Sequence, residues 1–258
     1  MDKNINISIC IPAYECGGKG VSYLRTLLDS IEKQTYEVFE IVISDHSKSD
    51  ALETLCNTYS LPIHHHYNIN NRGSCEANLN NAVRLASGDY IKPMLQDDYF
   101  YGPSSLELMV NSLQNTDKKW VAAHTMHCTE EQQDSLHSPH PPTIPEDSRA
   151  WLAGINTLGG PSVVLYPKMD EEYNPFLVWL MDVEYYYKLW SMHGFPSLVT
   201  DNCIVTRLRE GGITSTEITP EVIAEDTSYC VEQYLNNKKP KVTDFPIMLE
   251  RAKRLNLL

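Results

Sequence analysis

The segment Gly88-Asp89-Tyr90-Ile91-Lys92-Pro93-Met94-Leu95-Gln96-Asp97-Asp98 runs a short apolar stretch straight into two adjacent carboxylates. In open α/β sheets, ligands bind beyond the carboxyl ends of the strands. Asp97 and Asp98 at such a place suit a hard divalent cation, Mn2+ or Mg2+, which takes oxygen ligands and commonly bridges to substrate phosphates. An isolated Asp-Asp after a strand is more often a solvated acidic turn. The flanking sequence decides between the two readings.

Residues 5–11 alternate strictly and stop at Pro12, which reads as a strand. Gly17, Gly18 and Gly20 follow in a loop. Val21, Leu24, Leu27, Leu28 and Ile31 then share one helical face, with Ser22 as the expected cap. Phe39 to Ile43 is a second strand, Ala51 to Tyr59 a helix and Ile63 to Tyr67 a third strand. Ala77 to Ala86 is helical, with Ala82, Leu85 and Ala86 inward, and Gly88 ends it. Tyr90 to Leu95 is the fourth strand. This alternation implies a doubly wound, mainly parallel α/β sheet with helices on both faces.

Four polar clusters terminate the strands: Pro12-Ala13-Tyr14-Glu15, Ser44-Asp45-His46-Ser47, Asn70-Asn71-Arg72-Gly73 and Gln96-Asp97-Asp98. Each alone is an ordinary turn. At equivalent ends of neighbouring strands they form one rim suited to a nucleotide.

In the order and spacing of Ile9-Cys10-Ile11-Pro12-Ala13-Tyr14, Leu27 to Tyr36, Glu40 to Ser47, Ser49-Asp50, Asn71-Arg72-Gly73, Ala77-Asn78, Gly88 to Ile91 and Asp97-Asp98, the chain resembles the inverting family 2 glycosyltransferases of the GT-A fold. The likeness is strong over 5–100 and patchy over 150–215. It implies a nucleotide-diphosphate sugar as donor (a UDP-, GDP- or dTDP-sugar), a glycan or other hydroxyl as acceptor, and a divalent metal. Pro12, Ala13, Tyr14 and Glu15 would line the base and ribose pocket. Asp45 would accept a hydrogen bond from the base, and Arg72 would face the nucleotide or diphosphate. Asp97 matches the last acid of the family's Asp-x-Asp motif. Leu95 replaces the first acid, and Gln96 stands at the ribose-facing middle position. Arg209 stands where relatives often place a metal-ligating His, and a guanidinium there would clasp phosphate oxygens instead.

The second half should select the acceptor and supply the base. Residues 128–150 hold four prolines and many acids without an apolar period, and read as an exposed loop that could cover the acceptor site. Gly159-Gly160-Pro161-Ser162 resembles the family's turn ahead of a strand. Trp179 to Leu189 resembles its acid-containing helix, which implies Asp182 as general base, with Met181 in place of the usual preceding acid. An Asp here is also a good helix cap, and Glu184 is the competing acid.

The expected organisation is a nucleotide-sugar-binding half over 1–105, an acceptor and base half over 106–215, and a helical extension over 216–258. Phe245, Met248, Leu249, Ala252 and Leu255 give that extension an amphipathic end. The net charge of −13 argues against nonspecific nucleic-acid binding and a polybasic membrane patch. The absence of a leader or a long apolar run predicts neither signal peptide nor membrane span. Seven cysteines without CxxC spacing fit a reducing cytoplasm. His64-His65-His66 reads as structural or surface, because alternation points only one or two of them one way. His124 and His127-Cys128 lack a second zinc half-site, and Tyr185-Tyr186-Tyr187 with Trp190 reads as core. Two other functions stay open: a sugar-nucleotide or glycan-binding module without turnover, and a nucleotidyltransferase, although Tyr14 to Gly20 starts acidic where that class needs a basic phosphate loop.

Overall fold

The computed structural model describes residues 5–37, 39–129, 136–208 and 218–235. The N-terminal half alternates strand and helix: β1 (Ile7–Ala13), α1 (Gly20–Glu32), β2 (Glu40–Asp45), α2 (Ala51–Cys56), β3 (Ile63–Tyr67), α3 (Cys75–Leu85) and β4 (Tyr90–Pro93). These are followed by β5 (Tyr99–Phe100), α4 (Ser105–Gln114), β6 (Val121–Thr129), β7 (His137–His140), α5 (Arg149–Leu152), β8 (Val164–Pro167), α6 (Met181–His193), β9 (Ser197–Leu208) and α7 (Pro220–Cys230). Among the described residues the strands form one nine-stranded sheet in the order β3-β2-β1-β4-β8-β6-β9-β5, with β7 beside β6.

The first four strands are parallel, as the β/α alternation requires. Beyond β4 the sheet is mixed: β8 runs antiparallel to β4 and β6, β5 runs antiparallel to β9, and only β6 and β9 are parallel. The doubly wound, mainly parallel arrangement is thus a property of the N-terminal half. Residues 128–150, expected to be one exposed loop, include the end of β6, strand β7 and helix α5.

Helices cover both faces. Ile7, Ile9 and Ile11 of β1 pack with α1, α2 and α4, while Cys10 packs with α3, α5 and α6 on the other side. Every residue of β1 is therefore buried, including the polar alternates. Ser8 is accommodated because its hydroxyl donates to Glu40 Oε1 at 2.6 Å. Gly88 approaches the same spot: a Cβ there would lie 2.5 Å from Ser8 Oγ. Its role is close packing against β1 as well as an end to the helical pattern.

Four local expectations change. β1 continues through Pro12 to Ala13, which lie opposite Ser44 and Asp45 of β2. Lys19, not Ser22, caps α1, and Ser22 lies inside the helix with its hydroxyl donating to the Lys19 carbonyl. α3 starts two residues early because Ser74 caps it by accepting the Ala77 N–H at 3.0 Å. Leu85, at its last turn, is 44% exposed rather than inward. The amphipathic pattern over 244–258 lies outside the described residues.

Candidate active site

Sheet register assembles the rim. Ala13 pairs with Asp45, and Asp45 with Tyr67, so three strand ends finish side by side. Asn78 of α3 ties them together from below. Its Nδ2 donates to the Ala13 carbonyl at 3.1 Å, and its Oδ1 accepts from Ser44 Oγ at 2.6 Å and Asn68 Nδ2 at 3.3 Å. Pro12 and Ala13 are buried, Tyr14 is exposed, and Glu15 accepts the Lys48 N–H, bracing the β1 loop against the β2 loop.

Asp45 is fully buried. One oxygen accepts the Ser47 N–H at 2.7 Å, and the other lies 2.9 Å from His65 Nε2. Of the three consecutive histidines, the middle one thus serves the rim. Beside Asp45, His46 Nε2 and Ser47 Oγ are buried with no hydrogen-bond partner among the described residues. Burial pushes the His46 imidazole below its ordinary value, and the Arg72 charge pushes the same way. The Asn70 backbone and Asp45 oppose this. Arg72 is exposed and donates to the Ser47 carbonyl at 3.0 Å. Unsatisfied buried polar atoms in native folds call for a missing partner. Here they sit together at the edge of a strand-end rim.

Gln96 is buried and its amide bonds the loop after β1 from both ends. Its Oε1 accepts the Tyr14 N–H at 2.9 Å, and its Nε2 donates to the Gly20 carbonyl at 2.9 Å. A Cβ at Gly20 would lie 2.3 Å from the Tyr14 carbonyl oxygen, so the loop closes only on glycine. Gln96 therefore shapes the loop that carries Tyr14.

The two acids differ. Asp97 is half-buried at the rim, whereas Asp98 is buried and accepts the Arg207 N–H at 3.3 Å. Burial raises the Asp98 carboxyl and the Asp97 charge adds to this; Ser162, the Arg207 N–H and Lys92 pull it back. Lys92, fully buried, is lowered by desolvation against the pull of Asp98. It donates to the Pro93 carbonyl at 3.2 Å and to that of Ser162. Arg207 is a buried cation that sequence reasoning overlooked. Its Nε donates to the Asp97 carbonyl at 3.3 Å, and its guanidinium lies 4.9 Å from the Tyr23 ring and 5.8 Å from that of Tyr99. Both terminal nitrogens are buried without a hydrogen-bond partner among the described residues. Arg209 lies outside the described residues.

Asp182 lies in the first turn of α6, not at its cap, which is Leu180. Its Oδ2 accepts from Asn156 Nδ2 at 2.8 Å and its Oδ1 from the Val183 N–H at 2.7 Å. Burial pushes its carboxyl up to about 7 despite both bonds, the range suited to a general base. Asn156 also donates to the Gly159 carbonyl at 3.0 Å, and Ser162 of the same turn accepts the Leu95 N–H at 2.9 Å. One turn thus couples the acid pair to Asp182. Glu184 is buried and faces away, paired with Lys188 at 3.0 Å and hydrogen-bonded by Tyr234.

No group of three His, Cys, Asp or Glu side chains that could hold a metal occurs among the described residues. A cation bound through one carboxylate and donor phosphates needs no such group. Asp97 fits that arrangement. Asp98, facing Arg207 and Ser162, does not. No helix among the described residues is long and apolar enough to cross a membrane.

The family model for Glycosyl transferase family 2 matches residues 8–170. An uncharacterized glycosyltransferase of Rickettsia typhi is 32% identical over 118 residues, 46% of this chain and 35% of the relative. One from Rickettsia prowazekii is 30% identical over 138 residues, 49% of this chain and 41% of the relative. The matches therefore span well under half the length of these relatives. Among solved structures, S. aureus TarS in complex with UDP-GlcNAc superposes with a TM-score of 0.67 at 17% identity, covering 97% of this chain and 80% of that one. The mannosyltransferase PcManGT from Pyrobaculum calidifontis, in complex with GDP-Man and Mn2+, superposes at 0.60 and 16% identity, covering 98% and 70%. At these identities the likeness establishes the GT-A fold.

Proposed function

The chain belongs to glycosyltransferase family 2, and from that premise we propose that it transfers a sugar from a nucleotide-diphosphate sugar to a hydroxyl acceptor with inversion at the anomeric carbon. The nucleoside would lie on the rim of Ala13, Tyr14, Glu15 and Asp45, where the buried, unpartnered atoms of His46 and Ser47 meet it. Arg72 would face the diphosphate. Gln96 contributes by fixing the Tyr14 loop.

Asp182 would take the proton from the acceptor hydroxyl as its oxygen attacks the anomeric carbon. The bond from that carbon to the diphosphate oxygen breaks on the opposite face, and the nucleoside diphosphate departs with the electron pair. One base and no enzyme nucleophile give inversion. A divalent cation held by Asp97 and the donor phosphates would supply charge stabilisation to the leaving group. Arg207 lies against the buried side of the acid turn and holds it rigid through Asp97 and Asp98.

The observation that carries this reading is the Asp182 carboxylate held by Asn156, which also binds the turn whose Ser162 receives the Leu95 N–H. A thermal-shift panel of UDP-, GDP- and dTDP-sugars with and without Mn2+ tests it. The cognate donor at 100 times its Kd should stabilise by about 2.7 kcal/mol, and that donor should then be turned over. Binding without turnover of any donor would identify a sugar-nucleotide-binding module instead, the outcome that Leu95 in place of an acid would favour.

A further inference from the structure

The stretch 218–235 lies beyond the residues matched by the family model. Within it, α7 opens at Thr219, whose hydroxyl accepts the Val222 N–H at 3.3 Å, with Pro220 in the first turn. Its buried stripe is Val222, Asp226 and Cys230, spaced four apart, so a carboxylate stands in the middle of an apolar face.

Asp226 is 0% exposed. Burying a carboxylate is costly unless it is hydrogen-bonded. Its Oδ2 accepts three consecutive backbone N–H groups, from Val178 at 3.0 Å, Trp179 at 2.7 Å and Leu180 at 3.0 Å. Charge-assisted bonds of this kind are about twice as strong as neutral ones. These residues are the entry to α6, whose cap, Leu180, has no side chain able to accept. Asp226 thus anchors, from a distant helix, the chain just ahead of α6, including the Ncap N–H that the acid of a capping box ordinarily holds. The same C-terminal stretch reaches α6 again where Tyr234 donates to Glu184. Asp182 lies between these two holds.

We propose that Asp226 is a positioning residue for Asp182, fixing the Val178–Leu180 entry so that the half-buried base stays against Asn156. The proposal rests on Asp182 being the base, and its test is separate from that assignment.

The test is a carboxyl-carbon NMR titration of the full chain labelled at aspartate, with the Asp182 signal assigned by its loss in Asp182→Asn. The native midpoint should lie near 7. In Asp226→Asn, water should reach a loosened Asp182 and lower its midpoint by about one unit toward the ordinary carboxylate range. A purely structural role would lower the melting temperature and leave the midpoint of the folded protein in place, which overturns the proposal. If Asp226→Asn does not fold, Asp226→Glu keeps the charge but displaces it by one methylene. A lowered midpoint in that variant supports the proposal, and a native one overturns it. Full turnover in Asp182→Asn would defeat the base assignment, while the titration would still decide whether Asp226 positions Asp182.

Discussion

His65 Nε2, from the middle of β3, lies 2.9 Å from the Asp45 carboxylate at the end of the adjacent parallel strand β2, and both side chains are buried. The contact sets which way the carboxylate faces and leaves the Ser47 N–H to hold its other oxygen. His65→Ala would strand a buried acceptor, which costs about 1–3 kcal/mol. Urea unfolding should show that loss, and calorimetry with UDP and GDP should show weakened binding of whichever nucleotide the protein takes. Unchanged nucleotide affinity would mean that the rim is not the base site.

Asp182→Asn keeps shape and removes basicity. Turnover should fall by about 10²-fold or more while nucleotide affinity holds. On the proposed mechanism Asp182 acts deprotonated, so wild-type kcat should rise with pH up to about 7 and then level off. The sign reverses for stability. Between the unfolded carboxyl value and 7 the folded protein holds the proton more tightly, so its stability should fall as pH rises through that window. Asp182→Asn should flatten this slope, measured by urea unfolding at several pH values.

Asn156 donates to Asp182 and thereby favours the ionised form. Asn156→Leu removes that bond and keeps water out. The acidic limb of the kcat profile should move to higher pH, with donor KM unchanged. A limb that stays in place would show that Asn156 does not act on the base.

The adjacent acids should separate. Asp97→Ala should abolish Mn2+-dependent donor binding and leave the melting temperature near that of wild type. Asp98→Ala should instead destabilise, because the Arg207 N–H and Lys92 lose a buried partner, at a cost of about 1–3 kcal/mol for each group left unsatisfied. Equal thermal effects from the two changes would contradict the division between a rim acid and a buried one.

What could be read in the sequence was local. Strand-end clusters and the Asp97-Asp98 pair follow from periodicity and adjacency, the acid-bearing helix from the family resemblance, and the fold places them as strand ends and a helix start. What could not be read comes from residues far away along the chain. His65 reaches Asp45 from 20 residues on, Asn156 reaches Asp182 from 26 residues before, and Arg207 reaches Asp97 across 110. Alternation limits how many of three histidines face inward but cannot choose which. Gln96, at a position suggestive of ribose contact, bonds the Tyr14 loop through both its oxygen and its nitrogen, a demand set by the shape of the β1 exit.

The pairing of β5 with β9 has a consequence for how the protein is made. Among the described residues, Tyr99 and Phe100 find their strand partners at Val205 and Ile204, and the adjacent acid turn is secured by Ser162 and Arg207. During synthesis the four parallel strands can pair as soon as β4 has emerged, since domains build from the N-terminus. The acid turn must wait for about another hundred residues. Contacts of such long sequence separation slow folding. A ribosome-stalled chain ending before β9 should therefore have an ordered nucleotide rim and an unfinished acid turn, so that nucleotide binding matures before sugar transfer.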